Sequence, residues 1–186
     1  MNVRHLFELK GRVAIVTGGS IGLGRQIAQG LAEMGADVIL CARKVSRCKD
    51  AAKELAELGV RTLAVECDVT QPESIDRATA EVVRQFGQID ILFNNAGISW
   101  GVPFEQMKLA DWERVLSTNL TGTFLMTQAV GRVMISQRSG SVVNVASVAG
   151  IAGAPAETVQ ATAYHASKGA VIAFTKDLTC KWAVHV

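Results

Sequence analysis

No run in this 186-residue sequence approaches the roughly 20 apolar residues that a membrane-spanning helix needs. The opening segment, Met1 to Lys10, is charged at Arg4, Glu8 and Lys10 and has no apolar stretch of the kind a secretory leader carries. The cysteines Cys41, Cys48, Cys67 and Cys180 form no Cys-x-x-Cys pair and have no histidine at ligand spacing, so no metal site is expected. Cys41 and Cys67 fall in apolar, strand-like runs and read as buried free thiols, which implies a reducing compartment. A formal charge of +2 without a basic run gives no electrostatic ground for binding nucleic acid or an anionic membrane. Nor does any linker, repeat or low-complexity segment argue for a second domain. The default is one soluble, cytoplasmic domain spanning 1–186.

What is present suits a well-buried core: 49% hydrophobic residues against 19% charged. Val13-Ala14-Ile15-Val16 is a β-branched apolar run that ends in glycines and reads as a buried strand. Ile27, Leu31 and Met34 then recur at helical spacing, closed by Gly35. Val38 to Leu40 is a second strand, Ala51 to Leu58 a helix, and Leu63 to Val65 a third strand. Thr70-Gln71-Pro72-Glu73 has the form of a capping box with proline in the first turn. It leads a helix with Ile75, Val82 and Phe86 on one side. Ile89 to Phe93 is a fourth strand. A long helical region from about Phe104 to Ser136 has Trp112, Val115, Leu116, Leu120 and Phe124 as its apolar stripe. Ser141 to Val145 is a fifth strand, and a last helix carries Tyr164 and runs to about Trp182. This alternation predicts right-handed βαβ units and a doubly wound α/β fold with a parallel sheet.

Two stretches carry chemistry. The first strand runs into Thr17-Gly18-Gly19-Ser20-Ile21-Gly22-Leu23-Gly24, inside which a helix begins. Glycines here let the backbone approach a pyrophosphate, while the helix N-terminus offers unpaired N–H groups. The alternative is a tight turn with no ligand. A P-loop is disfavoured, because no Gly-Lys-Ser/Thr closes the segment, and with it a nucleotide hydrolase. In the second stretch, Tyr164 and Lys168 stand four apart on a helix, within reach of each other. A cation beside a phenol favours the phenolate and makes it a usable acid or base.

Thr17-Gly18-x-x-x-Gly22-x-Gly24, Asn94-Asn95-Ala96-Gly97 after the fourth strand, and Tyr164-x-x-x-Lys168, with Ser147 and Asn119 at matching places, resemble the short-chain dehydrogenase/reductase family over the whole chain. The resemblance implies a Rossmann-type fold and NAD(P)-dependent hydride transfer between an alcohol and a carbonyl. Tyr164 would be the general acid/base, and Ser147 would hydrogen-bond the same substrate oxygen. Lys168 would hold the nicotinamide ribose and support Tyr164. Asn119 would stabilise a kinked helix and a water for proton escape. Ser20, Ile21 and Leu23 lie in the cofactor turn with its glycines. Asp68 and its neighbour Val69 match the family's adenine-binding position, and Asn95, Ala96 and Gly97 match the wall beside the adenosine and ribose. Other readings stay open: Ser147 or Asp68 serving a loop, Asn119 facing solvent, His165 structural, and Trp100 either stacking on substrate or anchoring a loop.

An acid at the end of the second strand would mark an NAD enzyme. The sequence there is Cys41-Ala42-Arg43, and a guanidinium suits a 2′-phosphate, so NADP is expected, with NAD possible. The 17-residue spacing from Ser147 to Tyr164, the Pro155-Ala156-Glu157-Thr158 insertion and Ser99-Trp100-Gly101 are similar to the branch containing gluconate 5-dehydrogenases. A polyol or sugar acid is therefore the expected alcohol/ketone substrate. Against the family pattern, the chain ends before the last two strands and last helix. This leaves the fifth strand as an edge, one sheet face partly bare, and a homo-oligomer (dimer or tetramer) expected only of the complete form. A nucleotide-binding fragment without catalysis is the alternative function.

Overall fold

The structure is a computed structural model and describes residues 3–185; Met1, in the segment read for a leader, and Val186 lie outside them. Strands β1 (Val13–Thr17), β2 (Asp37–Ala42), β3 (Thr62–Glu66), β4 (Ile91–Asn94) and β5 (Ser141–Asn144) form one sheet in the order β3-β2-β1-β4-β5. Every pairing is parallel, with Ile15 of β1 opposite Ile39 of β2 and Leu92 of β4. Helices α1 (Gly22–Glu33), α2 (Val45–Ala56), α3 (Pro72–Phe86), α4 (Leu109–Leu116), α5 (Gly122–Gln137) and α6 (Thr162–Trp182) make the connections. The doubly wound fold read from the sequence is the fold observed.

All five residues of β1 are buried, as a strand covered on both faces requires. Ala14 and Val16 point to the layer of α1 and α2, against Ala28, Leu31, Cys48 and Leu55. Val13 and Ile15 point the other way, to Ile75 and Val82 of α3 and Met126, Val130 and Met134 of α5. Each fully buried aliphatic side chain contributes about 1.5–3 kcal/mol, and these two layers fix the sheet's register. The sequence order reverses between β1 and β4, opening a crevice at the C-terminal ends of the strands. Among the described residues β5 is one edge and β3 the other. Val143 of β5 is 38% exposed, so the bare face expected there is observed.

Several expectations need correction. No capping box forms: Gln71 is the N-cap of α3 and makes no side-chain cap bond. Thr70 instead donates its hydroxyl to Asp68 Oδ1 at 2.8 Å, while Ser74 Oγ accepts the Asp68 N–H, so the loop after β3 claims the polar groups. Helix α2 begins six residues earlier than read and ends at Ala56, leaving Leu58 exposed. The long helix is interrupted. Phe104–Gln106 is a separate 3-10 turn, and Ser117–Thr121 is a π-turn between α4 and α5. Hydroxyls of Thr118 and Thr123 bond the carbonyls of Arg114 and Asn119, competing with the helical ladder there. The inserted residue rotates α5 relative to α4. Phe124, read as part of the apolar stripe, is 41% exposed, and Met126, Val130 and Met134 face the core in its stead.

Candidate active site

The glycine turn is shaped by packing as much as by any ligand. Gly18 and Gly22 have φ of 64° and 55°, which an L side chain resists. Gly24 has another reason to lack a side chain: a Cβ there would collide with the Gly18 carbonyl oxygen and with Asn95 Nδ2. Helix α1 thus rests on the turn that precedes it. Asn95 donates to the carbonyls of Thr17 and Gly18, and the Thr17 hydroxyl accepts the N–H groups of Asn95 and Ala96. This network bolts the turn to the end of β4. The N-cap of α1, Ile21, makes no side-chain cap bond, so the first N–H groups of the helix stay available to an anion.

The turn borders a cleft of about 770 Å³. Gly18, Ser20, Ile21, Leu23 and Gly24 line it, with Arg43 from the end of β2, Asp68 and Val69 from the end of β3, and Asn95, Ala96 and Gly97 beyond β4. Ile21 and Leu23 are 60% and 55% exposed, apolar side chains left facing a space that a flat ligand would fill. An uncapped helix start, a glycine-lined floor and apolar walls together fit a dinucleotide. Sequence reasoning missed Lys44 and Arg47, which line the cleft beside Arg43 and turn one guanidinium into a basic rim. Lys44 is the N-cap of α2 and Arg47 lies in its first turn, but the helix was read as starting later. Gly22, Tyr164 and Lys168, expected at the cofactor, do not line this cleft; its far end is formed by Ile98 and Thr118.

The remaining residues gather around α6. Ser147 caps the turn Val148–Gly150, its Oγ accepting the Ala149 N–H at 3.2 Å, which leaves its own hydrogen for another acceptor. That turn lies against α6. A Cβ on Gly150 would stand 2.7 Å from the Lys168 carbonyl carbon and 2.9 Å from the Gly169 nitrogen. Lys168 is buried and donates its ammonium to the Val145 carbonyl, two residues before Ser147. Burial pulls its pKa below the ordinary lysine value. Its Nζ is 5.6 Å from the centre of the Tyr164 ring, on the same helical face.

Asn119 lies in the π-turn and is 1% exposed, so the solvent-facing reading is excluded. Its Oδ1 accepts the Ile98 N–H at 2.8 Å, and its Nδ2 donates to the Ile98 carbonyl at 2.9 Å and to Ser167 Oγ at 3.0 Å. Ser167 in turn donates to the Tyr164 carbonyl at 2.7 Å. Both amide hydrogens of Asn119 are committed, and the side chain ties the loop after β4 to the helix of Tyr164. His165 points its Nδ1 to the Ala161 carbonyl, 3.0 Å away, the structural role expected of it.

A family model described as short chain dehydrogenase matches residues 12–186. The chain belongs to that family. As a member it is an oxidoreductase that works with NAD or NADP on small molecules. It is 44% identical over 172 residues to the 3-oxoacyl-acyl-carrier-protein reductase FabG of Aquifex aeolicus (strain VF5), covering 92% of this chain and 68% of that protein. To the gluconate 5-dehydrogenase of Gluconobacter oxydans (strain 621H) it is 37% identical over 185 residues, covering 100% of this chain and 71% of the relative. A solved short-chain type dehydrogenase/reductase from Mycobacterium marinum superposes with a TM-score of 0.94 at 36% identity, covering 99% of this chain and 72% of that one. An NAD+-bound xylitol dehydrogenase gives 0.90 at 38% identity, with 95% and 67% covered. A metagenomic short-chain oxidoreductase in complex with NADP gives 0.88 at 32%, with 95% and 79% covered. No helix among the described residues is long and apolar enough to cross a membrane.

Proposed function

We propose that this dehydrogenase moves a hydride between NADP(H) and the alcohol or carbonyl carbon of a polyol or sugar acid. The observation that carries the reading is the seating of the Ser147 turn on α6 through Gly150, which brings a free hydroxyl hydrogen to the helix of Tyr164 and Lys168. When bound, the nicotinamide donates or accepts the hydride. Tyr164 gives a proton to the substrate oxygen or takes one from it, and Ser147 donates a hydrogen bond to the same oxygen. Lys168 holds the ribose and supports Tyr164 as a buried cation. Asn119 is a positioning residue, fixing the loop at Ile98 against α6.

Support for NADP comes from the rim of Arg43, Lys44 and Arg47, with no carboxylate at the end of β2. Support for the substrate class comes from the insertion before Tyr164 and from Trp100. Relatives named for gluconate 5-dehydrogenase and D-threitol dehydrogenase agree with it, while those named for 3-oxoacyl carrier reduction mark the competing class. A homo-oligomer is proposed on the outer face of α5 and α6, where the exposed Phe124 meets Phe174 edge-on with ring centres 6.5 Å apart.

The test pairs turnover with binding. The protein should bind NADPH, and with NADP+ as hydride acceptor it should oxidise gluconate or xylitol; Tyr164→Phe should abolish turnover while leaving the NADPH Kd within about twofold. An active Tyr164→Phe protein refutes the mechanism. Tight NADPH binding without turnover of any polyol, sugar acid or 3-oxoacyl thioester would make the chain a nucleotide-binding module.

A further inference from the structure

Trp100 sits at the apex of a loop pinned at both ends. At one end Asn119 holds both backbone groups of Ile98, a residue that lines the cofactor cleft. At the other, the Val102 N–H donates 2.8 Å to the Gln160 carbonyl, four residues before Tyr164. Gly101 between them passes close to the same oxygen, 3.5 Å from where its Cβ would be. The loop therefore bridges the end of the cleft to the approach of the catalytic helix. Trp100 itself is 42% exposed, yet it is not loose: the guanidinium of Arg114 on α4 lies 4.6 Å from its ring centre. Arg114 is held in turn by Asp111 at 3.4 Å.

A residue that merely anchored the loop would be expected to bury its indole, and this one keeps much of its surface open. One face is occupied by a cation, and the remainder is a rigid apolar surface with an N–H donor at its edge. A carbon chain bearing hydroxyls has the matching chemistry, with C–H groups to lie on the ring and oxygens to meet the N–H. We infer that Trp100, steadied by Arg114, is the stacking platform that receives a polyhydroxylated substrate at the mouth beside Tyr164. This rests on the reading of the protein as a polyol or sugar-acid dehydrogenase and deepens it.

The test uses xylitol and gluconate as separate arms, with steady-state NADP-linked oxidation and calorimetric titration of the NADP-loaded protein. Trp100→Ala should raise KM and Kd for both at least about tenfold, change kcat less than about threefold, and leave the NADPH Kd within twofold. Trp100→Phe, which keeps a smaller ring, should recover most of the loss, and it also serves if the alanine variant does not fold. Arg114→Lys should weaken binding severalfold through the indole. Unchanged KM in Trp100→Ala, with normal wild-type turnover, overturns the platform and leaves the function standing. Absence of wild-type binding and turnover of both probes overturns the substrate reading and the platform with it.

Discussion

Gly150 and Gly169 meet backbone to backbone: a Cβ on Gly169 would stand 3.3 Å from the Gly150 carbonyl oxygen, and one on Gly150 would stand 2.9 Å from the Gly169 nitrogen. The contact closes the short distance between the turn that begins at Ser147 and the helix that carries Tyr164. Gly150→Ala forces the two apart, since neither neighbour is a side chain that can swing away. We expect a loss of stability of about 1–3 kcal/mol. More tellingly, kcat should fall at least tenfold with the NADPH Kd nearly unchanged, because the cofactor cleft does not include this turn. Paired thermal melts and kinetics separate the two effects. Unimpaired kcat would mean that Ser147 is not held in place by this contact.

The glycines of the cofactor turn should respond differently from one another. Gly24→Ala drives a methyl group into the Gly18 carbonyl and Asn95, so it should destabilise the fold by several kcal/mol and abolish NADPH binding. Gly22→Ala meets open space and suffers only from its φ of 55°, a strain of about 1–2 kcal/mol. Calorimetric melting of the two variants should reproduce that ranking. The reverse order would show that backbone strain at position 22 outweighs the packing clash at position 24.

Removing Arg43 should cost NADPH much more than NADH. A charge-assisted bond to a phosphate is worth about 1.5–3 kcal/mol, so Arg43→Ala should raise the NADPH KM by about 10–100-fold with a small change for NADH. Arg47→Ala should act in the same direction more weakly. Equal effects on both cofactors would remove the 2′-phosphate from this rim.

Alkaline pH should loosen the protein through its thiols. Cys67 is pushed up to about 12, chiefly by burial and further by Asp68, with Arg77 opposing. Burial raises Cys41 and Cys48 as well, Cys48 less freely because Ser20 bonds it. Each folded thiol keeps a proton that the unfolded chain releases above about pH 8.5. Its stabilisation is therefore fully present below that pH and is lost as pH rises toward the folded value. The slope is at most about 1.4 kcal/mol per pH unit for each thiol. Lys168 has the opposite sign, since burial lowers its pKa and the folded state gains as pH climbs toward the unfolded lysine value. The urea midpoint should fall between pH 9 and 11, and the fall should be shallower in Cys67→Ala. An identical slope in that variant would exclude Cys67 from the effect.

Much of this was legible in the sequence, for definite reasons. The runs that became β1 and β2 are buried on both faces, so their composition alone marks them. The glycine turn and the Tyr164–Lys168 pair announce themselves because close backbone approach and a shared helical face demand fixed spacings. What escaped depends on contacts between distant segments. Thr70 looks like a helix cap until Asp68 is seen to bind its hydroxyl. Lys44 and Arg47 gain meaning only once α2 is known to start at the cleft. Gly150 and Gly169 resemble ordinary loop and helix glycines when read singly, and the kink at Asn119, expected from the family resemblance, has no periodic signature of its own.

That π-turn sets the phase between two lengths of helix. Successive α-helical residues differ by about 100° around the axis. Were one residue dropped from Ser117–Thr121, α4 would swing through that angle relative to α5. Arg114 would leave the indole it steadies, and Val115 would leave its buried position. One surplus residue therefore acts as a rotational gear, letting a single rod pack its far half into the sheet while its near half holds Arg114 over the Trp100 ring.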